Sequence, residues 1–143
     1  MIIHTASEGI SLSRNMENDS AVFYEKLAQQ YGGDAEVFLA FAKENKKNVV
    51  QIERAYYGVI TDAIEGGYAL NLETDKYTLN TAVPDGADYS DVLKQALEVE
   101  NSIIQYYTDA AEQSKSLLAD VPRAFTLVAK KRKSRLDKLS SLL

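Results

Sequence analysis

Four times along the chain a polar residue interrupts an apolar stripe of helical spacing. Glu17 lies between Ile10 and Tyr24 at steps of seven. Asn45 and Asn48 share a helical face with Phe38, Phe41, Ala42, Val49, Ile52 and Tyr56. Glu100 falls between Leu93, Ala96 and the pair Ile103, Tyr107, and Arg132 with Arg135 falls among Phe125, Val128, Ala129, Leu136 and Leu139. A stripe of this period faces a core, and a polar group enters a core only with partners. Four helices must therefore bring these groups together, and what the groups do together is the functional question.

Composition narrows the answers. At 143 residues the chain, 1–143, is expected to be a single all-α domain large enough for its own core. It has no cysteine, which excludes disulfides, thiolate metal sites and cysteine nucleophiles, and its one histidine is His4. A net charge of −5 argues against a nucleic-acid partner. No signal peptide or run of about 20 apolar residues is visible, so no membrane partner and a cytoplasmic location are expected.

Taken in order, the first five residues read as a loose start, with Ser7 as N-cap of a helix over about 8–31 in which Gly9 is a weak point. Gly32-Gly33 stops this helix and Asp34 caps the next, over about 35–65, which Gly66-Gly67 ends. Residues 67–87 lack a 3.6-residue period and contain Pro84, Asp85 and Gly86, as a long connection would. Asp88 or Ser90 caps a third helix over about 88–115. After a break at 116–119, Asp120 caps a fourth over about 121–142, with Pro122 in its first turn. Two short connections flank one long one, so helices 1–2 and 3–4 form antiparallel hairpins joined by a crossover.

The halves repeat. ENDSAVFYEKLAQQ from Glu17 aligns with ENSIIQYYTDAAEQ from Glu100, sharing Glu-Asn, an aromatic pair, Ala28 with Ala111, and Gln30 with Gln113. FLAFAKENKKN from Phe38 aligns with FTLVAKKRKSR from Phe125. Two related hairpins suggest an internal duplication with a pseudo-two-fold axis.

These segments, with MENDSAVFYEKLA from Met16 and ALEVENSIIQYYTDAAE from Ala96, resemble the rubrerythrin branch of the ferritin-like diiron proteins. In that family helices 1 and 3 read roughly E-x5-F-Y-x2-L-A, and helices 2 and 4 roughly F-x3-A-x2-E-x2-H. The resemblance covers all four helices, about three-quarters of the chain. It implies a ferritin-like four-helix bundle with one long crossover between helices 2 and 3, and a side-by-side homodimer. Two helices would each supply one carboxylate to a pair of irons, and the other two a Glu and a His at i, i+3.

Carried over by position, Glu17 and Glu100 occupy the single-carboxylate places, Asn45 and Asn48 the helix 2 Glu and His, and Arg132 and Arg135 the same places in helix 4. Asparagine is at best a weak neutral ligand, and a guanidinium cannot coordinate a cation. Two carboxylates and two guanidiniums also sum to zero charge. The expectation is a buried Glu17–Glu100–Arg132–Arg135 network with Asn45 and Asn48 supplying hydrogen bonds. A network of that kind is satisfied throughout or very costly.

Two functions follow from different classes. One is a non-catalytic structural protein, or one that binds an unidentified protein partner, with no cofactor. The other is a rubrerythrin-like peroxidase or oxidase holding two iron ions, or manganese, at an altered site, with Tyr24 and Tyr107 nearby. The absence of rubredoxin-type cysteine pairs would leave that enzyme dependent on an external electron donor. A small anion bound against the arginines is a third use of the site. Glu44 and Glu53 are the alternative carboxylates of helix 2; Glu44 sits about 100° from the aligned position and should point away from the centre. In the basic run KKRKSR from Lys130, the helical period sends Arg132 and Arg135 inward and Lys130, Lys131 and Lys133 to solvent. Tyr56, Tyr57, Tyr68, Tyr77 and Tyr89 would pack the long connection or a subunit interface, and His4 would lie at the surface.

Overall fold

The structure, a computed structural model, describes residues 1–59, 68–114 and 120–143. Four helices dominate them: α1 (Ala6–Gln30), α2 (Ala35–Val59), α3 (Tyr89–Ser114) and α4 (Val121–Leu142). Two strands, β1 (Ile2–Thr5) and β2 (Tyr68–Glu73), form one antiparallel ribbon. The all-α expectation thus holds for the bulk of the chain and is corrected by this small sheet. The expected end of the second helix at 65, Gly66-Gly67, Lys115 and the break at 116–119 lie outside the described residues.

Cross-helix contacts give the helix directions. Glu17 and Tyr24 of α1 bond Tyr107 and Glu100 of α3, in opposite chain order. Arg14, Glu17 and Ser20 bond Glu53, Asn48 and Asn45 of α2, again in opposite order. Asn45 and Gln51 of α2 meet Arg135 and Lys131 of α4, once more in opposite order. Hence α1 and α4 run one way and α2 and α3 the other. The closest packing is within the pairs α1–α2 and α3–α4.

The chain start is a strand rather than a loose end. Ile3 pairs with Leu72, and both are buried with Leu70 beneath the ribbon. The alternation Leu70-Asn71-Leu72-Glu73 is a period-2 signal, which a search for helical period passes over. Anchoring the strand moves the first cap. Thr5, not Ser7, caps α1, with its hydroxyl accepting from Glu8 N–H and the Glu8 carboxylate accepting from the Thr5 backbone.

The other expected cap residues stand next to their helices. Asp34 precedes α2, where its carboxylate accepts the Tyr89 hydroxyl. Asp88 directly precedes α3. Asp120 stands at the α4 N-cap but makes no side-chain cap bond, and Pro122 falls in the first turn as expected. Tyr56 and Tyr77 are buried, the latter donating to Asp109, whereas Tyr57 is exposed. His4 is half-buried in β1.

Gly9 serves close packing. It is buried, its carbonyl accepts the Tyr106 hydroxyl at 2.6 Å, and a Cβ there would lie 2.6 Å from Leu70 Cδ1. Overpacking costs about 1–3 kcal/mol, against a helix-propensity gain of about 1 kcal/mol for alanine over glycine. Gly9→Ala should therefore destabilise the native protein by about 1 kcal/mol, yet stabilise the Leu70→Ala background, where the conflict is gone. Urea denaturation of the four proteins measures both effects, and equal shifts in the two backgrounds would refute the contact.

Candidate functional site

All six aligned positions meet at the centre of the bundle. Glu17, Asn45, Asn48, Glu100, Arg132 and Arg135 are each at most 1% exposed. The centre is organised by the Arg132 guanidinium, which lies between the two carboxylates. Its Nη1 donates to Glu100 Oε1 and Oε2 at 2.7 and 2.6 Å, and its Nε and Nη2 both donate to Glu17 Oε2 at 3.1 and 2.9 Å. Nη2 donates further to Ser20 Oγ and Asn45 Oδ1 at 2.9 and 3.1 Å. Only arginine offers so many donors in one rigid plane.

Arg135 sits one turn further along. Its Nη2 donates to Asn45 Oδ1 at 2.6 Å and to the Phe41 carbonyl at 3.1 Å, while its Nη1 lies 3.6 Å from Glu100 Oε1. The guanidinium faces the rings of Phe41 and Tyr24, with its carbon 4.8 and 5.7 Å from their centroids. Asn45 links the arginines: its Oδ1 accepts from both, and its Nδ2 donates to Ser20 Oγ at 2.7 Å. Asn48 Nδ2 donates to Glu17 Oε1 at 3.0 Å. A carboxylate only accepts, so this fixes the Asn48 amide orientation and turns its Oδ1 away, without a hydrogen-bond partner among the described residues.

Two tyrosines complete the centre with reciprocal bonds between α1 and α3. Tyr24 of α1 donates to Glu100 of α3 at 2.9 Å, and Tyr107 of α3 donates to Glu17 of α1 at 2.8 Å. Burial pushes the Tyr24 phenol well above its ordinary value of 10.0, with Glu100 adding to the shift. Burial and then Glu17 do the same for Tyr107. For Arg132 burial opposes the charge, but Glu100 and Glu17 more than offset it and hold the pKa above the ordinary arginine value.

Glu44 points away from the centre, as its helical angle requires: its side chain lies at the rim, 38% exposed, where it accepts from Arg135 Nη2 at 2.9 Å and Nε at 3.2 Å. An arginine side chain is long enough to reach a carboxylate one position round the helix. Glu53 instead pairs with Arg14 at 2.7 Å, toward α1. Ser20 was not among the anticipated residues. It stands three residues after Glu17, on the same helical face, and that spacing was the signal available. Lys130, Lys131 and Lys133 are exposed while Arg132 and Arg135 are buried, as the period required.

The donor set does not fit a cation. The space between Glu17 and Glu100 that a metal would need holds a guanidinium, and Asn45 turns its oxygen to two more positive groups. Among the described residues no group of three or more His, Cys, Asp or Glu side chains could hold a metal ion. The arrangement suits charge neutralisation and rigid alignment of four helices. No protein-family model, curated protein or solved structure matches the chain.

Removing one partner of a buried charge pair strands the other. Arg132→Ala should cost about 3–5 kcal/mol in urea denaturation, and a loss below about 0.5 kcal/mol would refute the central role of this residue. The raised phenols of Tyr24 and Tyr107 contribute to stability on the alkaline side. Their contribution is full below about pH 10, the unfolded value, and is lost as pH rises toward the higher folded value. Tyrosinate absorbance from Tyr24 and Tyr107 should therefore appear only together with loss of the helical circular dichroism.

Proposed function

We propose that this chain is a ferritin-like bundle of the rubrerythrin type in which arginine has replaced metal, and that it acts as a non-catalytic structural or partner-binding protein. The observation that carries this reading is the Arg132 guanidinium held between Glu17 and Glu100. The helix directions, the long α2–α3 connection and the reciprocal tyrosine–glutamate bonds support the family assignment. Two charges of each sign close the centre without an added cation. Every carboxylate oxygen of Glu17 and Glu100 already accepts a protein donor, which leaves none uncommitted for redox chemistry at a metal. The side-by-side homodimer and the cytoplasmic setting belong to the same proposal.

Metal content separates this reading from the oxidoreductase one. After iron and manganese loading, the purified protein should carry less than about one-tenth of a metal ion per chain. One or two ions per chain, abolished by Glu17→Ala or Glu100→Ala, would overturn it and direct the protein to a peroxidase assay. A restored chain provides the converse arm. Asn45→Glu, Asn48→His, Arg132→Glu and Arg135→His together recreate the six-ligand set and should confer stoichiometric metal binding on a variant whose helical spectrum is retained.

A further inference from the structure

Charge is unevenly spread over the helices. The α2 and α4 segments hold eleven of the sixteen basic residues of the chain but only four of its twenty-one acidic ones. Two of the basic residues are the buried arginines. On α2 the separation is complete: from Leu39 to Gly58 every exposed residue is lysine, arginine, aliphatic, tyrosine or glycine. The two acids of that stretch turn sideways, Glu44 to Arg135 and Glu53 to Arg14.

Leu39, Lys43, Lys46, Val50, Arg54 and Tyr57 follow one another at steps of four, three, four, four and three, which places them on a single stripe. Leu39, Val50 and Tyr57 are 51%, 50% and 62% exposed, so these large apolar side chains are open to solvent. Lys43, Lys47 and Arg54 make no ion pair among the described residues, and Lys46 makes one only at 4.0 Å, with the exposed Glu25.

We infer that the outer face of α2 is a docking surface for an anionic lipid bilayer, on which the helix lies in the headgroup plane. No helix among the described residues is long and apolar enough to cross a membrane, so the association is peripheral. The interleaving of cations with apolar side chains selects the partner. Lysines meet headgroup phosphates and carboxylates, while Leu39, Val50 and Tyr57 enter the acyl boundary. A nucleic-acid backbone would use the cations but gives Leu39 and Val50 nothing to contact, and this patch has neither an arginine cluster nor a series of stacking aromatics. The cations recur along one helical stripe, which suits an extended charged surface. The inference does not depend on what the buried centre does.

Co-sedimentation of the full chain with vesicles tests it. Binding to phosphatidylcholine vesicles with about one-third phosphatidylserine should exceed binding to phosphatidylcholine alone at least about fivefold. It should fall away between about 0.1 and 0.5 M salt as the charges are screened. Lys43→Glu/Lys47→Glu should lose the excess with an unchanged helical spectrum, Val50→Ser should weaken it, and Lys94→Glu on α3 should leave it intact. Equal binding to both vesicles, no binding, or an excess that survives both α2 substitutions would overturn the inference. So would binding to duplex DNA in the absence of any anionic-vesicle excess, which would reassign the face to nucleic acid.

Discussion

One guanidinium carries the interior of this protein. Arg132 reaches from α4 to a carboxylate on α1, a carboxylate on α3, and the Ser20 and Asn45 side chains on α1 and α2. All four helices thus meet at one fixed cation, which burial would otherwise expel. Its charge is sustained because both glutamates are desolvated with it, so that neither side of the pair has water to return to without unfolding. Tyr24, Tyr107 and Asn48 satisfy the carboxylate lone pairs that this central contact leaves over, while Asn48 Oδ1 and Arg135 Nη1 make no hydrogen bond among the described residues.

The central contacts are reciprocal while the charges around them are not. Tyr24 and Tyr107 each donate to the glutamate of the other hairpin. At the paired positions of α2 and α4, however, amides face guanidiniums: Asn45 corresponds to Arg132 and Asn48 to Arg135. The amide is a sensible counterpart, because Asn45 can accept from both arginines while donating to Ser20. Arginine at all four positions would leave two buried positive charges uncompensated.

The helices and the central residues were legible because both depend on local period. Polar residues inside a 3.6-residue stripe must be buried, and their complementary charges name their partners. The legible part ends where side-chain reach or strand pairing takes over. The ion pair of Glu44 was not legible because a residue's helical angle locates its Cβ, whereas Arg135 extends to meet it at the rim. Ser20 is too common a helix residue to stand out, although its spacing from Glu17 was visible. The β-ribbon escaped because its partners, Ile3 and Leu72, are far apart in sequence and each strand is short. Gly9 read as a weakness until Leu70 and Tyr106 were seen to occupy the space its missing Cβ leaves.

The uneven division of charge also governs how the two hairpins recognise each other. The first hairpin brings one central negative charge, from Glu17. The second brings a net positive one, from Glu100, Arg132 and Arg135. Joined to each other they are neutral, whereas two copies of the first hairpin would enclose two negative charges and two copies of the second two positive ones. Because the hairpins share a sequence pattern, apolar packing alone would discriminate little against such mispairing, including exchange of hairpins between neighbouring chains during folding. The buried ions act as a polarity key: a hairpin that meets its own kind encounters a like charge in a place where no water can screen it.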